Sequence, residues 1–320
     1  MEIRKATKKL ESRLPKINRP KLIACVLLML LVQGCTNSKL VISPLYNRLD
    51  DRMRDQFNEL ATFNEQQTAA FEQMLGTFHV WHRQQELPGY AQLMKTVASS
   101  ISNEDTTEDD IKRWFATAEQ HTVAVRQCHP INFSFDLIRS FSDQQLASIK
   151  EHVKKERLED IERYESRTPE ERVERRIRNA VKFAGRLNVE FTPTQRAMLL
   201  SAFKQQRSLR KEYFALSSAW QAQFFQLASD RENPNFEADI RTHLGKLRHL
   251  LEDAHPEQWR ANRDLWKETS LQLISSLSKE QRRQVSSWVS KMSRTLESIS
   301  RDKPSFEVGN DESIGCLVQS

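Results

Sequence analysis

Large apolar residues recur at three- and four-residue intervals along most of this chain. Leu45, Leu49, Met53, Phe57 and Leu60 begin the pattern after Ser43-Pro44, a hydroxyl cap followed by proline at the first helical position. Phe71, Met74, Leu75, Phe78 and Trp81 share one side of a second helix, expected to end near Leu87-Pro88. Tyr90, Leu93, Met94, Val97 and Ile101 give a short third helix, and a fourth runs from Thr107 to the break at His129-Pro130. Another starts at Ser142, and Thr168-Pro169-Glu170-Glu171 is a complete start signal whose helix should close at Gly185 in the left-handed region. The longest pattern, Thr192 to about Ala228, reads as one element. Further helices follow the breakers Asn233-Pro234 and His255-Pro256, and a last one follows Ser278. No stretch sustains the two-residue alternation of a strand, so the expected class is all-α, a bundle with several long amphipathic helices.

The first residues change how the composition is read. Residues 1–21 hold eight Lys and Arg against Glu2 and Glu11, and Leu22 to Val32 is uninterruptedly apolar. A basic start, a short apolar core and a small residue before a cut form a secretory signal. Eleven apolar residues make a helix of roughly 16 Å, about half a hydrocarbon core of ~30 Å, so a permanent span is not expected. Leu31-Val32-Gln33-Gly34-Cys35 resembles the lipobox of bacterial lipoproteins. That resemblance implies cleavage after residue 34, a diacylglycerol thioether on Cys35 and an acylated amino group, hence stable membrane anchoring. Thr36, where Asp would retain the protein, resembles lipoproteins sorted to the outer membrane.

Removing the leader takes 8 of the 49 basic and 2 of the 43 acidic residues and leaves 41 of each. The formal charge of +6 on the whole chain therefore resides in the leader, and nucleic acid drops out as a partner. Two cysteines remain beyond Cys35. In an oxidising compartment Cys128 and Cys316 can pair and tie the tail to the body; two separate thiols are the alternative.

One local signature recurs four times: Phe63-Asn64-Glu65-Gln66-Gln67, Phe141-Ser142-Asp143-Gln144-Gln145, Phe191-Thr192-Pro193-Thr194-Gln195 and Leu277-Ser278-Lys279-Glu280-Gln281. Each is a capping box with a hydrophobic staple: the cap oxygen accepts from the third helical amide, and the Gln reaches back to the cap's own amide. These boxes also resemble the LTxxQ motif of small all-helical periplasmic stress chaperones. A wider likeness is carried by Leu45 to Asp50, Trp81-His82-Arg83, Glu86-Leu87-Pro88, Gly185-Arg186-Leu187 and the first three boxes. It is similar to a domain-of-unknown-function family of proteobacterial lipoproteins, which implies location and architecture but brings no activity, cofactor or catalytic residue.

Candidate chemistry is sparse. His79, His82 and Glu86 fall on one side of a helix and could present two imidazoles and a carboxylate to a divalent ion, but they lack the HExxH arrangement, and a docked helix end explains them better. Cys128-His129 does not present a nucleophile to its base, because neighbours in sequence diverge. There is no Gly-rich phosphate loop and no GxSxG elbow. The mixed-charge run 150–176 reads as a solvated helix supported by ion pairs, with a partner-binding face as the alternative.

The sequence is therefore expected to comprise a leader (1–34), a lipidated tether (35–43), a helical domain (44–301), either continuous or in two halves meeting near 186–191, and a loose tail (302–320). The expected role is a non-enzymatic, chaperone-like or binding protein, without cofactor, on the periplasmic face of the outer membrane. Its partners would be the membrane, through the anchor, and envelope proteins or unfolded clients. An adaptor subunit of an envelope assembly machine is the second reading, and a metal-dependent enzyme the third.

Overall fold

The computed structural model describes residues 42–302 apart from 44, 45, 47, 105 and 248. The expected leader, Cys35, most of the expected tether, residues 303–320 and with them Cys316 lie outside these residues. In order, the helices are α1 (Leu49–Leu60), α2 (Glu65–Trp81), a π-helical turn (His82–Glu86), α3 (Leu87–Ser102), α4 (Glu108–Gln127), a 3₁₀ turn (Pro130–Phe133), α5 (Phe135–Arg139), α6 (Asp143–Glu165), α7 (Pro169–Arg186), α8 (Pro193–Gln205), α9 (Arg210–Ser229), α10 (Phe236–Lys246), α11 (Leu250–Ala254), α12 (Pro256–Ser275) and α13 (Lys279–Ser300). The class is all-α; no strand occurs among the described residues. None of these helices is long and apolar enough to cross a membrane.

Of the expected boundaries that move, three have a visible physical reason, two local and one distant. The second helix does not stop at Leu87-Pro88: the Leu87 amide bonds the His82 carbonyl in a wide π turn, and the helix continues as α3. The extra residue of that turn accommodates a proline that lacks a donor and would otherwise strike the preceding turn. Gly185 lies inside α7, and the left-handed residue is Asn188 (φ 57). The Val189 amide returns to the Ala184 carbonyl and the Asn188 amide to that of Gly185, the two bonds of a Schellman end. The long pattern from Thr192 breaks between α8 and α9, where Asn262 of α12 accepts from the Arg207 amide (3.1 Å) and donates to its carbonyl (2.9 Å). No glycine or proline marks this break; a distant side chain holds it.

Reciprocal capping boxes form at Asn64, Thr107, Ser142, Thr168, Thr192 and Ser278. Two of them carry an acid at the third position, Asp110 and Glu171, and stand alone on the surface. The four with Gln are joined in pairs. Gln67 Nε2 donates to Gln145 Oε1 (3.1 Å) and to the Ser140 carbonyl (2.9 Å); Gln145 Nε2 donates to Gln67 Oε1 (2.8 Å) and to the Thr62 carbonyl (2.7 Å). Gln195 and Gln281 repeat the scheme, donating to each other's Oε1 (both 3.0 Å) and to the Ser276 (3.1 Å) and Glu190 (2.7 Å) carbonyls. In all four cases the carbonyl belongs to the residue two before the partner box's cap. Each pair is a clasp in which one amide caps its own helix and grips the start of another.

The two clasps occupy similar places in two successive runs of helices. α1, α2, α3 and α6 stand to the first clasp as α7, α8, α9 and α13 stand to the second. α13 packs antiparallel along α3, with Ser286 and Ser293 donating to the Ala98 (2.8 Å) and Ala91 (2.7 Å) carbonyls. In the equivalent place α6 packs along α9, where Arg157 donates to Ser218 (2.7 Å) and the Tyr164 ring meets Phe214 edge-on at 5.8 Å. Residues 186–191 form the turn that leads from α7 into the second clasp. The main core clusters form around α3 and α13 (Trp81, Leu87, Met292, Leu296, Ile299) and around α5 and α10 (Phe57, Leu137, Phe141, Phe236, Ile240).

Candidate functional site

The densest polar chemistry lies where the π turn meets the end of α13. Tyr46, Asp50, His79, His82, Arg83 and Glu86 are all buried there, Arg83 at 1 % exposure. Asp50 Oδ2 lies 2.7 Å from His79 Nδ1. His79 Nε2 faces an Arg83 nitrogen at 3.2 Å. A guanidinium can only donate, so Nε2 accepts and the ring proton rides on Nδ1, directed at Asp50. Arg83 also donates to the Ile299 carbonyl at 3.0 Å, neutralising the open end of α13, and its guanidinium lies 5.0 Å from the Tyr46 ring centre.

His82 and Tyr46 form a second link, 3.0 Å from ring nitrogen Nδ1 to hydroxyl. Burial, aided by the Arg83 charge, pushes His82 down to about 3, and burial raises Tyr46 far above its ordinary range. The phenol is therefore the donor and Nδ1 the acceptor. Glu86 turns the other way and meets His121 Nδ1 of α4 at 2.9 Å. Burial, then the Glu86 charge and hydrogen bond, raise the Tyr90 hydroxyl. Gly89 makes room for this contact: a Cβ there would stand 2.3 Å from His121 Cε1.

The three residues considered as metal ligands are thus close in sequence but turned to three partners: His79 to Asp50, His82 to Tyr46 and Glu86 to His121. No group of three or more His, Cys, Asp or Glu among the described residues could hold a metal ion. Cys128 caps the end of α4 and is disulfide-bonded, while Cys316 lies outside the described residues. His129, lowered to about 4 by burial, accepts the Ile131 amide (3.3 Å) and so caps the 3₁₀ turn. Neither residue is arranged as a nucleophile or its base. What the cluster does is bind four pieces of chain into one network: the start of α1 with Tyr46 ahead of it, the end of α2 with the π turn, α4, and the end of α13. Sequence reading missed Tyr46, Asp50 and His121 as its members, and it expected Arg83 to pair with a glutamate where the structure gives it His79 and the Ile299 carbonyl. The available signal was Gly89, a glycine inside a helix with no turn to make.

A family model matches residues 59–255, more than half of the chain. The chain belongs to a family of unknown function, DUF6279. No curated protein and no solved structure matches it. The span that defines DUF6279 contains the π turn, His121 and three of the four Gln boxes; Tyr46, Asp50 and α13 with the fourth box lie beyond it.

Proposed function

We propose that this DUF6279 chain is an envelope lipoprotein, anchored through Cys35 at the periplasmic face of the outer membrane, whose helical body acts by binding unfolded or partly folded envelope proteins. The leader and the Leu31 to Cys35 stretch support the address, and a disulfide at Cys128 suits an oxidising compartment. The four LTxxQ-like boxes support the chaperone-like role.

The observation that carries the binding role is a thin side of the molecule. α7 and α12 each bury a single residue, Ala184 and Thr269, and no core cluster draws on α7, α8 or α12. Their large apolar side chains, among them Ile177, Val181, Phe203, Trp259 and Trp266, remain half-buried. A layer of apolar groups that reaches solvent can take up apolar segments of another chain without unfolding its own core.

Purified mature protein should suppress aggregation of a chemically unfolded client at near-equimolar ratio. Absence of suppression at several-fold excess sinks the proposal. Crosslinking in intact envelopes separates it from an adaptor role: many clients support it, and one dominant folded partner favours the adaptor.

A further inference from the structure

We propose that the outward face of α7, with Arg196 beside its end, docks on an anionic lipid surface. The inference rests on surface charge and shape and shares only Val181 with the layer proposed for clients. α7 is the most strongly amphipathic of the described helices, and its segment 166–186 carries seven Lys and Arg against three Glu in a mature chain that is neutral as a whole. The local excess is therefore not a general attraction for polyanions.

The basic residues of α7 divide by direction. Arg172 and Arg176 turn inward, 4.3 Å over the Tyr164 ring and 5.9 Å over the Phe203 ring, and Arg178 pairs with Glu174 at 3.2 Å. Arg175, Lys182 and Arg186 are left on the side opposite Val173, Ile177 and Ala184, without an ion pair among the described residues. They form a straight cationic stripe about 16 Å long at ~1.5 Å per residue.

Where the stripe ends, α7 and the third box line an open recess of about 290 Å³. Val181, Val189 and Phe191 supply apolar wall, and Arg196 supplies a cation with no ion pair among the described residues. Glu190 also lines the recess, which disfavours a small free anion such as phosphate. An apolar recess beside a row of cations matches a phospholipid surface, where acyl esters lie directly beneath phosphates. It matches an acidic polypeptide less well, since that offers charge without the apolar layer.

Flotation with vesicles tests this, using the chain from Thr36 onward, which holds the whole described fold and lacks both leader and lipid cysteine. It should bind phosphatidylcholine vesicles containing phosphatidylglycerol, bind pure phosphatidylcholine far more weakly, and be released by high salt. Arg175→Glu, Lys182→Glu and Arg186→Glu together should weaken binding about 100-fold, from roughly a factor of five per basic side chain near such a surface. Lys150→Glu, Lys154→Glu and Lys155→Glu on α6 change the charge equally and should leave it within about threefold; circular dichroism confirms that both variants fold. Equal loss in the two variants, equal binding to neutral vesicles, or no binding overturns the proposal. So does polyglutamate binding as tight as to the vesicles, which would assign the face to an acidic protein.

Discussion

Replacing Gln195 by Glu separates local capping from the clasp. Glutamate serves a capping box as well as glutamine, because the box needs only an acceptor for the cap amide, here Thr192 N to Gln195 Oε1 at 3.0 Å. The clasp also needs the Nε2 donor. Gln195 is 1 % exposed, and its amide group is fully used: Oε1 accepts from Thr192 and Gln281, and Nε2 donates to the Ser276 carbonyl and Gln281 Oε1. In Gln195→Glu two donors vanish, the Ser276 carbonyl loses its Gln195 partner, and a carboxylate faces oxygens in a buried place. Two lost hydrogen bonds and an uncompensated buried charge come to about 3–5 kcal/mol. Urea denaturation followed by circular dichroism reads this directly, and Glu171→Gln in the solitary box of α7 should leave the midpoint unchanged. The deficit should shrink in acid. Burial raises the new carboxyl above its unfolded value, so the folded state binds the proton more tightly, and stability returns as pH falls through that raised value. A cost below about 1 kcal/mol, or equal shifts in the two variants, would show that these glutamines only cap.

Gly89→Ala should destabilise by about 1–3 kcal/mol, because His121 must leave its bond to Glu86 to admit the methyl group; an unchanged melting midpoint would deny that the close approach matters. Folding should weaken as pH drops from about 6.5. His82 and His129 stay neutral in the fold down to about 3 and about 4, whereas the unfolded chain takes up both protons near 6.5. Their stabilising effect is thus fully present above 6.5 and is lost towards 4, at up to about tenfold in the folding constant per unit and per histidine. Urea midpoints that stay level between pH 7 and 5 would contradict it. Reducing the disulfide of Cys128, or Cys128→Ser, should cost about 2–4 kcal/mol, read as a lower midpoint under reducing conditions for the wild type and no further drop for the variant.

Much of this molecule is legible along the chain because it is local. The helix starts at Asn64, Thr107, Ser142, Thr168, Thr192 and Ser278 each follow from a cap oxygen and an acceptor three residues later, within one turn. The three- and four-residue spacing of apolar positions determined the all-α class in the same way. Where the local signal was ambiguous the reading slipped: Pro88 looked like an end until the π turn absorbed it, and the break at Arg207 is made by Asn262, 55 residues away.

The candidate cluster shows the same division. His79, His82 and Glu86 share a helix side by sequence arithmetic, yet a π turn changes the angular step between them, and each side chain follows the partner that buries it. The difference between Gln and Glu at the third box position was visible throughout; its meaning was not, because the second proton of each amide is spent on a segment about 80 residues distant. Sequence alone determined where the boxed helices begin and which face of each is apolar, since neighbours within one turn decide both. Only the tertiary structure decided which boxes clasp, which helices of the two runs pack together, and how the buried charges pair, since those choices minimise the desolvation of groups that the chain order keeps far apart.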